Sequence, residues 1–172
     1  MKNSKKVLVS LGVCIGVFAA VCVFALMAIG ILLEIGYIPD TKVLIGSEVS
    51  KKSRQTLVDL KLIKPNEEIL YFYSAGFLSV AEDGNFFTPE RVVSYQDCDG
   101  EFSVSEARFS EILSIEVESK GGVFEDALLY IETTDKGGFY LLVSTEEGRD
   151  KLFIQDLRRV WSDSQVVSEP AN

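Results

Sequence analysis

The stretch Phe86-Phe87-Thr88-Pro89-Glu90-Arg91-Val92-Val93-Ser94-Tyr95 decides how this chain folds. It is rich in aromatic and β-branched residues, which suit a pleated, half-buried surface. Pro89 breaks it, because proline has no N–H to give to a strand ladder. Asp83-Gly84 before it and Asp99-Gly100 after it read as hairpin turns, since those pairs accept the positive φ angles that tight turns need. Antiparallel strands are therefore expected on both sides.

Working outward, Ile69–Tyr73 and Phe77–Val80 supply earlier strands and Glu101–Ser105 a later one. Leu113, Ile115 and Val117 alternate with Ser114, Glu116 and Glu118, the pattern of a strand buried on one face. Leu128–Thr133 and Phe139–Val143 flank Asp135-Lys136-Gly137-Gly138, a further hairpin signal. About seven strands result. The period then becomes helical: Phe153, Leu157, Val160 and Trp161 fall at i, i+4, i+7 and i+8, with Asp150, Lys151, Asp156, Arg158 and Arg159 mostly on the other face. Thr145 is placed to cap this helix, and Glu146 and Glu147 suit the positive end of its dipole. An amphipathic helix is thus expected to cover an otherwise open sheet, followed by a disordered tail over 163–172.

The run Phe87-Thr88-Pro89-Glu90-Arg91-Val92-Val93-Ser94-Tyr95 resembles a strand of bacterial pleckstrin-homology-like (PH-like) domains, in which a Thr, a turn and an Arg precede an apolar, tyrosine-ended strand. Phe109-Ser110-Glu111-Ile112-Leu113-Ser114-Ile115 looks like a second strand of that family, and the likeness covers roughly 62–162. It implies a mainly β fold with helices (α+β): a PH-like barrel of antiparallel strands capped by a C-terminal helix, serving as a scaffold for proteins or peptides. Lipid-binding PH domains place Lys and Arg along the first hairpin. Here Ser74–Asp83 holds two acids and no base, so phosphoinositide binding is not expected despite the fold.

At the other end of the chain, Val7–Leu33 carries no charge, with Lys2, Lys5 and Lys6 before it and Glu34 after it. As a helix it would be roughly 40 Å long, more than the roughly 30 Å hydrocarbon core of a bilayer, and too long for a cleaved signal peptide. A single transmembrane helix over 7–33 behind a basic flank 1–6 is expected, tying the protein to the inner cell membrane. Cys14 and Cys22 follow valines, not the small residue of a lipoprotein site, and read as apolar filler. The basic flank favours the amino terminus inside and the C-terminal domain on the outer, periplasmic side. Gly12, Gly16 and Ala20, spaced by four, put small residues on one helix face and would allow homodimerisation.

Between span and domain, 34–64 reads as a linker and a short helix. Ser47 or Ser50 can cap a helix running to Ile63, with Pro65 stopping it, and Lys51, Lys52 and Arg54 reading as a solvated face. The domain proper is expected over 65–162. From Glu34 onward the chain holds 14 basic and 26 acidic residues, a net charge of −12. Nucleic acid and anionic lipid headgroups repel such a surface.

The chain has no histidine, which removes the commonest general base and the usual imidazole metal sites. Asp97, Asp99, Gly100 and Glu106 match four positions of a calcium-binding loop, but its first position is Tyr95 and its flanks read as strands; a β-turn with solvated acids is expected. Arg91 is expected to pair with Glu90 or Glu111, or to hold a loop carbonyl. Phe86 and Phe87 read as core, and Cys98, the only cysteine beyond the span, as a buried or inert thiol. Glu67-Glu68 and Glu146-Glu147 are carboxylate pairs that chance supplies in so acidic a chain. No catalytic residue, cofactor or metal is expected. The expected function is a membrane-anchored module that binds an unknown protein partner or stabilises an assembly. The alternative is a domain that senses a small apolar ligand or lipid tail in a cavity lined by Phe72, Leu129 and Leu141.

Overall fold

The computed structural model describes residues 2–34, 39–122, 125–135 and 137–168, with side chains described for 15–31, 39–122, 125–135 and 137–166. Two compact units divide the chain, Met1–Ile35 and Gly36–Asn172. The first is one continuous helix, α1 (Lys2–Glu34). Its described side chains are exposed all round, Phe18, Phe24 and Leu26 among them. Among the described residues no helix is long and apolar enough to cross a membrane. The stretch of α1 whose side chains are described, residues 15–31, would be about 26 Å long, short of the roughly 30 Å a bilayer core requires. The spanning helix expected over 7–33 is therefore not shown by these residues. Gly12 and Cys14 lie outside the described side chains, while Gly16 has open space around it.

The second unit is mainly β. Its elements are β1 (Leu44–Ile45), α2 (Lys51–Asp59), β2 (Tyr71–Tyr73), β3 (Asp83–Phe87), β4 (Arg91–Cys98), β5 (Glu101–Arg108), β6 (Ile112–Ser119), β7 (Ala127–Thr133), β8 (Phe139–Val143) and α3 (Arg149–Ser168). All strand pairings are antiparallel, in a five-stranded sheet β1-β2-β3-β4-β5 and a three-stranded sheet β6-β7-β8. The sheets do not close into the expected barrel. From β5 to β6 the chain passes through the 3₁₀ turn Phe109–Glu111 with no ladder between the two strands. At the other junction β3 meets β8 through a side chain, Asn85 Nδ2 donating to the Leu142 carbonyl at 2.6 Å.

Two cores follow from the two-residue period of β2. Tyr71 and Tyr73 point into the space shared by both sheets and α3, packed with Phe87, Phe109, Leu129, Leu141, Phe153 and Leu157. Phe72 points the other way, towards Leu57 of α2, with Phe86, Val93 and Tyr95. Phe87 is the hub of the first core, stacked on Tyr71 at 5.3 Å and edge-on to Phe153 at 5.1 Å. The helix α3 caps this core as its period predicts. Trp161 Nε1 donates to the Ile112 carbonyl at 3.1 Å, and Arg158 to that of Ile115 at 3.0 Å.

Five expectations need correcting. Phe77–Val80 is not a strand, and Asp83-Gly84 is not a turn but the start of β3, opposite Gln96 and Tyr95. Gly84 serves a close approach: a Cβ there would lie 2.6 Å from the Tyr95 hydroxyl. The segment 34–64, expected as linker and short helix, contributes β1 and α2 to the compact unit. Ser50 caps α2, accepting from the Ser53 N–H at 3.0 Å, but the helix ends at Asp59, before Pro65 is reached. Lys61 turns left-handed at φ 61°, and the N–H groups of Lys61 and Leu62 close back on the carbonyls of Val58 and Leu57. Thr145 does not cap α3; its hydroxyl donates to the Gly122 carbonyl at 2.7 Å, and a 3₁₀ turn, Glu146–Gly148, intervenes.

Candidate functional site

The break at Pro89 builds the candidate site. Thr88 Oγ1 accepts from the N–H groups of Glu90 and Arg91 at 3.1 and 3.2 Å, which folds a tight turn and starts β4 at Arg91. On the facing side Glu67 closes a turn of its own, Oε2 accepting from the Lys64 N–H at 2.9 Å. Between these turns lies an open cleft of about 1200 Å³. Val58, Ile63 and Pro65 give it apolar wall, while Lys61, Glu68 and Glu90 put both signs of charge on its rim.

Arg91 is the keystone of the cleft. Its Nε and Nη2 donate to one Glu67 oxygen at 3.0 and 2.9 Å, Nη2 also reaches the Leu62 carbonyl at 2.7 Å, and Nη1 meets Glu106. Burial alone would lower the Arg91 pKa, but the bonds and charge of Glu67, joined by Glu106, outweigh it and raise the value. The expected pairing with Glu90 or Glu111 is replaced by Glu67 and Glu106, whereas the loop carbonyl is found. A guanidinium so engaged braces the cleft and has little left for an incoming anion. Glu67 was the residue that sequence reasoning missed. Its signal was the turn Lys64-Pro65-Asn66-Glu67, whose fourth residue caps its first.

The other candidates are dispersed. Asp97 accepts from the Gly100 N–H at 2.9 Å in a turn where Asp99 and Gly100 have φ of 55° and 86°. Glu106 lies five positions beyond Glu101 along β5, about 17 Å from that turn, so the four calcium-loop residues do not converge. Phe86 and Phe87 are fully buried. Phe72 belongs to a different core from Leu129 and Leu141, so the three line no common cavity. Of the buried or inert thiol expected at Cys98, burial is ruled out: the residue is exposed, because it sits at the end of β4 beyond the core.

Three tyrosines use their hydroxyls as inward donors: Tyr71 to Asp156 and Tyr73 to Asp126, each at 2.7 Å, and Tyr95 to the Val80 carbonyl at 2.5 Å. Burial first, and then Asp156, pushes Tyr71 up to about 12. Burial likewise pushes Tyr73 and Tyr95 well above the ordinary tyrosine value. They are bracing groups with no proton to exchange near neutrality.

No family model matches the chain, and no curated protein does. The chain is similar to several solved structures, among them two pleckstrin-homology structures. One is a DUF1696 family protein with a pleckstrin-homology domain from Shewanella loihica, 17% identical, covering 71% of this chain and 94% of that chain at a TM-score of 0.46. The other is a pleckstrin homology domain from Shewanella amazonensis, 19% identical, covering 60% of this chain and 82% of that chain at a TM-score of 0.42. Nothing about ligand or partner passes from either to this chain.

Proposed function

We propose that this chain is a bacterial, membrane-anchored PH-like binding module that holds a protein partner or stabilises an assembly at the bilayer. The observation that carries the reading is the pairing of two units of opposite character: a helix with apolar side chains exposed all round, and a separate mainly β unit with a braced open cleft. A helix apolar on every face needs an apolar surrounding, which a bilayer supplies once the whole run 7–33 is counted. The cleft mixes apolar wall with charges of both signs, which suits a peptide segment better than a phosphate.

Two experiments test this. On fractionation, the full chain should stay with the membrane through an alkaline wash and leave it when residues 2–34 are deleted; release of the full chain would overturn the anchor. A photo-cross-linking residue placed at Glu68 should capture one discrete partner in cells, and the capture should fall when Arg91→Met loosens the cleft. An equal product from a probe at exposed Leu152, away from the cleft, would overturn the cleft as the binding site. The domain is read as facing the outer side of the inner membrane. In a background with Cys14→Ser and Cys22→Ser, exposed Cys98 should react with an impermeant thiol reagent in outer-membrane-permeabilised cells, and reaction only after lysis would reverse that orientation.

A further inference from the structure

Among the described residues of the β unit the most exposed large apolar side chain is Phe77, 83% accessible, and beside it Leu78 is 65% accessible. Both sit at the tip of the loop 74–82, which joins β2 to β3. The loop is not loose. One Glu82 carboxylate oxygen accepts from the N–H groups of Phe77 and Leu78 at 2.8 and 3.2 Å. Ser79 takes the N–H of Glu82 at 3.1 Å on its carbonyl and that of Ala81 at 3.1 Å on its hydroxyl. Ser74 Oγ donates to the Asp83 carbonyl at 2.7 Å, and Gly76 permits a contact in which a Cβ would lie 2.3 Å from the Ser79 carbonyl oxygen. The loop therefore presents an apolar pair whose own backbone donors are already satisfied.

That construction selects among surroundings. A lipid tail offers no hydrogen-bond acceptor, so backbone N–H groups entering the acyl boundary must bring their own partners, and those of Phe77 and Leu78 do. Its shape is set beforehand, so little ordering is lost on insertion. The position of the loop selects too. Leu44 pairs with Phe72 in antiparallel register, so the residues preceding β1 run alongside the end of β2 from which the loop departs. The loop thus projects from the end of the sheet at which the chain enters from α1.

We propose that Phe77 and Leu78 form an apolar wedge that inserts into the bilayer surface beside the anchor, a step that rests on the anchored reading above. Charge does not drive it. Asp83, Asp97, Asp99 and Glu101 lie at the same end of the sheet, so anionic headgroups repel this end and zwitterionic ones do not.

The test uses the full chain, with its three native cysteines replaced by serine, reconstituted in phosphatidylcholine vesicles. An environment-sensitive fluorophore is placed singly at Leu78→Cys, Phe24→Cys or Glu101→Cys and quenched by lipids spin-labelled on the acyl chain. Quenching several-fold greater at 78 than at 101, alongside strong quenching at 24, is the expected result, and Phe77→Ser should reduce the quenching at 78 with Trp161 fluorescence unchanged. Quenching at 24 without quenching at 78 overturns the wedge and leaves the anchor standing. Quenching at 78 without quenching at 24 supports the wedge and removes the anchor, while quenching at neither removes both. A blue shift at 78 that grows with protein concentration and ignores the spin label overturns the wedge in favour of a protein covering the pair. Stronger quenching at 78 when anionic lipid is added overturns the apolar mechanism.

Discussion

Arg91 and Glu67 meet through a single carboxylate oxygen that accepts from Nε and Nη2 at 3.0 and 2.9 Å, while the other Glu67 oxygen holds the Lys64 N–H. The pair thereby ties β4 to the turn in front of β2, and both side chains are mostly shielded, at 23% and 17% exposure. Removing the guanidinium by Arg91→Met leaves a carboxylate and the Leu62 carbonyl without their partner. A loss of about 2–3 kcal/mol is expected. Glu67→Gln keeps an acceptor and should cost about 1 kcal/mol. Urea unfolding followed by the fluorescence of Trp161, the only tryptophan, measures both; equal losses would show that the charge of Glu67 carries the whole interaction, and no loss from Glu67→Gln that the charge contributes nothing.

Lys61 ends α2 in the left-handed region, at a position where glycine is the ordinary choice. A side chain there costs about 1–2 kcal/mol, offset in part by the freedom glycine gains in the unfolded chain. Lys61→Gly should therefore stabilise the domain by about 0.5 kcal/mol, whereas Lys61→Ala should not. A gain from alanine instead would point to the charge of Lys61 as the burden.

Gly84 lies under the Tyr95 ring, and a Cβ would come within 2.6 Å of its hydroxyl and 2.9 Å of the Tyr73 carbonyl. Gly84→Ala is expected to cost about 2 kcal/mol. Tyr95→Phe removes the nearest of those atoms along with the bond to Val80. Because the two changes share a contact, the double variant should be less destabilised than the sum of the singles. Strict additivity would mean that the backbone, not the ring, opposes the methyl group.

The same glycine shows where the sequence was readable and where it was not. The helical period of Phe153–Trp161 is a repeated, local signal, and it names the face that packs on the core. The alternation of Leu113, Ile115 and Val117 holds only in part: Ile115 is buried and Val117 half-buried, but Leu113 is exposed, because a register shift between Ile112 and Ser114 puts Ile112 in the core instead. Asp83-Gly84 has the composition of a turn, but its glycine answers to a ring eleven positions later along the chain, which no local pattern reveals. Arg91 was legible as a buried charge needing an acid. Which acid was not legible, since Glu67 approaches it only after two separate turns have formed.

The capping helix offers a graded test of the first core. Leu157 is fully buried, and Leu157→Ala should cost about 3 kcal/mol. Trp161→Phe keeps most of the apolar contact and loses the bond to the Ile112 carbonyl, at about 1 kcal/mol. Circular dichroism melts would rank them, and the reverse order would mean that the indole bond, not the apolar face, holds α3 in place.

Two aspartates should make stability depend on pH in opposite senses. Asp83 is held above its ordinary pKa, first by burial and then by the charge of Asp126, with the Gly84 N–H opposing. Well below about pH 4 it is protonated folded or unfolded and has no effect; as pH rises past that value the unfolded chain ionises first and folding loses ground. Asp83→Asn should therefore be more stable than the parent near pH 7 and level with it near pH 3. Asp156 is held below its ordinary value, first by the Tyr71 hydroxyl and then, against burial, by Arg159. Its contribution is present above the unfolded pKa and fades as pH falls through the folded one, so Asp156→Asn should be less stable near pH 7 and level in acid. Unfolding curves for the two variants across this range should diverge from the parent in opposite directions, because one carboxylate is penalised for its charge and the other is bonded through it. Divergence in the same direction would mean that one of these two environments has been misassigned.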